Sequence, residues 1–327
     1  MTLLEMFTIL APVAFIVGFA LQRGNVCSVL AARQVVWSGR WSRLHGLLLA
    51  SACGFAVLMP FVWMDIGPFK LSAQVMPGAI TVAAGVLYAI GCYIFGACIF
   101  GVCSRAPSGH ISFFFAIPAM AIGATLGQNS GIAPSKAEMV PSMTASGSPM
   151  LIILWVAALI WLAWATARLI AGQRRAGASF SGLLNQSRWR SSMAAIVIGV
   201  LGCLLFATNA AWFYPAAAKR LTLYIADMSP VFPMDSLIGA GAVFLGSFVA
   251  ARFRGRFVMR RPYAIPTFQA IVGGLVVGYA WALIPGGNDS MVLFMMPSLA
   301  LNGIVAYASM FASLLVLEYM KKRFGLS

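Results

Sequence analysis

Residues 79–105 read AITVAAGVLYAIGCYIF followed by GACIFGVCSR, and the joint between the two halves decides the fold. The first half, Ala79 to Phe95, carries no charged residue and is nearly as long as the about 18 residues expected of a membrane-spanning helix. A span that merely ended would run into a polar loop. This one runs into Gly96, Ala97, Cys98, Ile99, Phe100, Gly101, Val102, Cys103, Ser104 and Arg105. Glycine tolerates backbone conformations closed to other residues, so the chain can leave the helix and turn here. The thiols are soft, polarisable groups placed where the turn occurs. An altered copy of the pattern, Pro285-Gly286-Gly287-Asn288-Asp289-Ser290, follows another apolar run near the other end of the chain.

The composition of the whole chain agrees. Of its 327 residues, 61% are hydrophobic and 9% charged, against about 25% charged in soluble domains. The expected fold class is an all-α polytopic membrane protein. A transmembrane β-barrel would show alternating segments of about ten residues, and these do not occur. The N-terminal stretch lacks the basic region of a cleavable signal peptide and is expected to be retained as a span. The net charge of +15 does not indicate a nucleic-acid partner. Basic residues gather in the cytoplasmic loops of membrane proteins, which alone raises the charge.

Nine spans are expected, at 5–22, 45–64, 78–96, 111–127, 150–170, 192–213, 236–252, 266–285 and 298–320. All of the 22 Lys and Arg residues except Lys70, Lys136, Lys219 and Arg220 fall in the segments 23–43, 97–110, 168–190, 252–261 and 321–323. With nine spans, those five segments share one side. The positive-inside rule makes that side cytoplasmic, with the N-terminus outside and the C-terminus inside. The partner surface is a lipid bilayer. The loops 128–149 and 214–235 fall outside, and both are short.

The same parity makes the third and eighth spans run in opposite directions, each ending in a glycine motif. The chain therefore reads as one integral membrane domain, 1–327, holding inverted pseudo-repeats at 1–127 and 192–320 joined by the span 150–170. Inverted repeats with glycine-interrupted helices at matching positions point to a transport site near the membrane midplane.

Three segments carry the residues expected to line such a path: Gln22-Arg23-Gly24-Asn25-Val26-Cys27, the 96–105 motif and the 285–290 motif. Backbone N–H groups released at a helix break bind anions. Cys27 and Cys98, flanked by glycine and arginine, are the thiols expected to contact a solute. Gly96, Gly101, Gly286 and Gly287 provide the breaks, and Asn288 an amide. Cys53, Cys92 and Cys203 lie mid-span without polar neighbours and read as small buried hydrophobes. Cys103 stands between these groups, and its spacing permits a bridge to Cys98 without requiring one. Arg23 and Arg105 read equally as topology signals and as attractors of an anion. Asp289 is expected to be paired or functional, because an acid near a turn at membrane depth is costly. It is a poor host for an anion. His45 and His110 read as interfacial residues. Met291, Met295 and Met296 read as packing. No C-x-x-C pair or Cys/His cluster is present, so no metal and no cofactor is expected.

These segments together resemble the YeeE/YedE family of bacterial sulfur transporters. Gly18-Phe19-Ala20-Leu21-Gln22-Arg23-Gly24-Asn25-Val26-Cys27 is similar to the family's first motif, G-F-x-x-Q-R-G-x-x-C. Gly96-Ala97-Cys98-Ile99-Phe100-Gly101, with Arg105, Ala106 and Gly109 downstream, is similar to its second, G-G-C-x-x-G followed by R-A-G-E-G. Gly286-Gly287-Asn288 sits where a third G-G-C is found, and Gly246 to Ala251 is a further match. The resemblance implies nine spans and short re-entrant helices forming an hourglass, with cysteines relaying thiosulfate or a related sulfur-containing anion. It further implies that some relatives work with a TusA-like cytoplasmic sulfur carrier. Two departures stand out. Asn288 replaces the third cysteine, and Pro107-Ser108-Gly109 replaces G-E-G. The expected function is a permease and not an enzyme. A membrane-bound sulfurtransferase with Cys98 as covalent acceptor, and a membrane subunit docking a cytoplasmic sulfur carrier, are the alternatives.

Overall fold

The computed structural model of the chain describes residues 5–132, 148–175, 188–253, 255 and 257–325. Most of the expected outer loop 128–149 and of the basic linker 172–190 lies outside these residues. Among the described residues the structure is helical, with an isolated β-bridge between His110 and Arg260. Nine helical stretches among the described residues are long and apolar enough to cross a membrane.

The helices are α1 (Ala11–Gly24, entered through a π-helical turn Met6–Leu10), α2 (Ser28–Ser38), α3 (Ser42–Trp63), α4 (Ala79–Phe95), α5 (Ile99–Arg105) and α6 (Ala116–Asn129). After these come α7 (Pro149–Arg175), α8 (Ser191–Thr208), α9 (Tyr214–Ile225), α10 (Met234–Phe253), α11 (Ala264–Leu283) and α12 (Leu301–Arg323). Between α11 and α12 the turns Asn288–Ser290 and Met291–Met295 form one further short helical piece.

The first and third spans run past the ends expected from the sequence. They extend over Met6–Ser38 and Ala79–Ser108. The expectation treated 23–43 and 97–110 as loops, whereas the helix stops for only a few residues and restarts. After each joint Ser28, Val29, Ala31 and Ala32, and Ile99 to Ser104, are buried, so apolar packing resumes at once. The segment 214–235 likewise contains a helix, α9, instead of a plain loop.

Small residues bring the long helices together. A Cβ on Gly18 of α1 would meet the carbonyl of Val243 in α10, and one on Gly246 of α10 would meet that of Phe15 in α1. Such close crossings give helices van der Waals contact where lipid offers no hydrophobic drive. The main packings are α1 with α10, α3 with α8, α4 with α12, α6 with α11, α4 with α11 and α1 with α8. Exchanging α1 for α8, α3 for α10, α4 for α11 and α6 for α12 turns this set into itself. The short helices follow the same exchange: α2 packs on α12 and α3, and α9 on α6 and α10. The connector α7 stands apart from the exchange. It leans on α3 and α8 and presents Ile152, Ile153 and Ile160 outward.

Candidate functional site

Four helices break and restart near the centre, and each restarts after an extended residue. Those residues are Cys27 before α2, Cys98 before α5, Phe213 before α9 and Gly287 before Asn288. The breaks have local causes. Asn25 (φ 49°) and Gly96 (φ 72°) adopt the left-handed conformation that closes the preceding helices. Gly101 is needed for close approach, since a Cβ there would meet Cys27 Sγ at 2.9 Å. Gly287 is hemmed in by Asp289 Oδ1, Ile99 Cδ1 and Tyr88 Oη, which leave no room for a side chain. Gly286 faces Ser290 and Met295 in the same way.

Three of the four breaks meet through side chains. Cys98 donates its S–H to Cys27 Sγ at 3.4 Å, and the Ser28 N–H donates to Cys98 Sγ at 3.2 Å. Asn288 Oδ1 accepts from the Ile99 N–H at 3.2 Å and from the Tyr88 hydroxyl at 3.0 Å. The Asn288 N–H in turn donates to Tyr88 Oη at 3.0 Å, and Asn288 Nδ2 donates to Ser28 Oγ at 3.4 Å. Ser28 Oγ lies 3.4 Å from Tyr307 Oη of α12. The fourth break joins through Tyr214, whose hydroxyl donates to the Ile99 carbonyl at 3.1 Å. All of these side chains are buried. The result is a plug of thiols, hydroxyls and one amide, enclosed by apolar helices. A buried polar cluster of this kind is stable only because each member finds a partner.

The cysteines Cys27 and Cys98 and the amide Asn288 therefore lie together. The six cysteines are free, so Cys98 and Cys103 form no bridge. The two arginines are engaged by the protein itself. Arg105 donates to the Gly96 carbonyl at 2.9 Å and stacks on Phe113, closing the C-terminus of α4. Arg23 is buried with its guanidinium 5.0 Å from the Phe19 ring. A third arginine, Arg43, reaches the same region. It donates to the Asn25 carbonyl at 3.1 Å and lines a narrow cavity with Cys27, Phe100 and Ser191. His110 sits beside Arg105 at the end of the third span. Burial and the neighbouring Arg260 hold its imidazole below the ordinary value, which favours the neutral ring. Met291 and Met295 are buried packing residues, as their spacing suggested.

Sequence reasoning missed Ser28, Tyr88, Tyr214 and Tyr307. Each is a single hydroxyl in or beside an apolar run, and no spacing rule marks it before the fold brings four segments together.

Residues 23–316 match the family described as Sulphur transport. The chain belongs to that family. It is thus a multi-pass membrane protein of the YeeE/YedE transporters, as the motifs around Cys27 and Cys98 implied. A relative is the thiosulfate transporter TsuA of Escherichia coli (strain K12), 23% identical over an alignment of 313 positions that covers 86% of this chain and 86% of the relative.

Proposed function

We propose that the protein is an inner-membrane permease that takes up thiosulfate or a related sulfur-containing anion through the centre of the four broken helices. The observation that carries this reading is the meeting of Cys27, Cys98 and Asn288 at three helix restarts. A polar, buried constriction between apolar helices offers S–H, N–H and O–H donors to an anion stripped of water. It also matches the rule that irregular backbone at membrane depth is tolerated only where protein buries it or where it lines a cavity. The relative TsuA bears the name of a thiosulfate transporter, and this fits the same substrate class.

The two halves are inverted repeats in this reading. The packing exchange described above supports it, because partners offset by five spans must run in opposite directions. The N-terminus lies outside and the C-terminus in the cytoplasm, in keeping with the positive-inside rule. Gly96, Gly101, Gly286 and Gly287 shape the path, while Arg23, Arg43 and Arg105 set a positive potential at its cytoplasmic mouth. The basic cytoplasmic face suits an acidic soluble partner, and a TusA-like sulfur carrier is the one the family resemblance suggests. Transport is favoured over covalent sulfur transfer because the partners of Cys98 are another thiol and a backbone N–H, with no base in contact among the described residues.

The test is uptake of radiolabelled thiosulfate by cells that lack other importers. Expression should restore uptake, and Cys98→Ala should reduce it more than tenfold, in the range that a lost polar contact in a buried site produces. Correct insertion with no uptake sinks the thiosulfate form of the reading.

A further inference from the structure

Asp289 is the residue that the path leaves unexplained. It follows Asn288 directly, is 5% exposed, and sits at the start of the short helical piece after α11. Among the described residues the ion pairs are Arg33 with Glu318 and Arg220 with Asp235, and neither includes Asp289. The titratable groups facing it are Tyr88 from α4, Cys103 from α5 and Tyr214 from α9. None of these carries a positive charge. Among the described residues its compensation comes from the backbone N–H groups of Ser290 and of Asp289 itself. Its Oδ1 is pressed against Gly287, which Tyr88 Oη and Ile99 also crowd.

A carboxylate removed from water must find a cation or a proton. Among the described residues no basic side chain pairs with Asp289, so a proton is the available neutraliser. The same carboxylate would repel any anion that reaches its neighbour Asn288. Proton and anion therefore favour each other at this place, and the preference is reciprocal by thermodynamic linkage.

We infer that Asp289 binds a proton together with the anion that passes Asn288, so that the protein co-binds proton and substrate. The inference rests on the permease reading and adds its coupled ion. The group that changes state is the Asp289 carboxyl, which gains one proton as the anion enters and releases it as the anion leaves. Tyr88, which touches both Asn288 and the Gly287 corner, links the two events.

The experiment uses the purified full chain in detergent, with thiosulfate as the probe. Titration calorimetry in buffers of different ionisation enthalpy counts the protons taken up on binding. Thiosulfate remains a dianion across the neutral range, so those protons go to the protein. The wild type should take up protons, and its affinity should fall about tenfold between pH 6 and pH 8, a coupling of ordinary size. Asp289→Asn should bind with no proton uptake and with an affinity that does not change with pH. Binding by the wild type without proton uptake overturns the inference, even if the variant fails to insert. Proton uptake that survives Asp289→Asn and disappears in His110→Asn or His45→Asn also overturns it. If no thiosulfate binds at all, the thiosulfate form of the permease reading falls and the coupling to thiosulfate falls with it.

Discussion

Cys27 and Cys98 are 71 residues apart in the chain and lie Sγ to Sγ at 3.4 Å in the fold. Each occupies the extended residue before a restarting helix. Two helix breaks thus deliver two thiols to one point, with the Ser28 N–H completing the group. Cys53 and Cys203 play no part in it. They are buried in α3 and α8, where a thiol acts as a small apolar side chain.

This proximity makes the thiol pair sensitive to oxidation. Treatment with diamide should join Cys27 to Cys98 and block uptake, and dithiothreitol should restore it. Uptake should fall more than tenfold, and thiol counting should show two groups lost, because transfer needs both thiols free. In Cys27→Ser the oxidant should no longer remove a pair of thiols in the same thiol count. Undiminished uptake after verified oxidation of this pair would show that the solute does not pass it.

Asn288 should control both stability and substrate choice. Its amide holds the Ile99 N–H, the Tyr88 hydroxyl and Ser28. Asn288→Ala leaves buried donors unmet and should destabilise the protein by about 1–3 kcal/mol. Asn288→Cys restores the family's third thiol but gives up the amide donor to Ser28. It should insert and should shift the competition profile across sulfite, sulfate, selenite and thiosulfate. A variant that folds with an unchanged profile shows that position 288 does not contact the solute.

Much of this fold was legible because membrane helices obey simple rules. Apolar length placed the nine spans, and the side on which the arginines gather matched their parity. The breaks at Gly24 and Gly96 were legible too, since glycine beside a thiol has no role in an ordinary span. What the sequence concealed was the continuation of helix beyond each break. Ser28 to Ser38 and Ile99 to Arg105 are too short to show a period. The tyrosines that join the breaks were concealed for a different reason. Tyr88, Tyr214 and Tyr307 gain meaning only from partners in distant segments. Arg43 was overlooked because it sits among other basic residues, and only the fold shows that it lines the cavity at Cys27.

The α1 and α10 crossing should be intolerant of side chains. Gly18 and Gly246 face the partner helix's carbonyls reciprocally. A bulky residue cannot rotate away from backbone, so the helices must separate. Gly246→Leu should cost about 1–3 kcal/mol or more through overpacking and should sharply lower the yield of monodisperse protein. Gly241→Leu on the same helix, which meets nothing within 4 Å, is the control and should be neutral. Equal behaviour of the two variants in size-exclusion profiles and thermal unfolding would argue against the crossing.

The last prediction concerns the half-helix that follows Cys27. Glu318 of α12 is fully buried, accepts from Arg33 Nε at 3.1 Å and from Trp37 Nε1 at 3.1 Å, and thereby ties α12 to α2. The Lys322 ammonium adds a bond to the Val36 carbonyl at 2.9 Å. Arg33 keeps 43% of its side chain exposed, so the ion pair is screened on one side and is worth less than a fully buried one. The neutral substitution Glu318→Gln keeps the shape but turns one acceptor into a donor that faces another donor. It should destabilise the protein by about 1–3 kcal/mol, seen as a lower melting temperature. Because α2 starts at Ser28, loosening its far end should also disturb the contact of Ser28 with Cys98 and Asn288. Uptake should therefore fall more than the loss of folded protein explains. Uptake per folded molecule that stays at the wild-type level would confine Glu318 to a purely structural role.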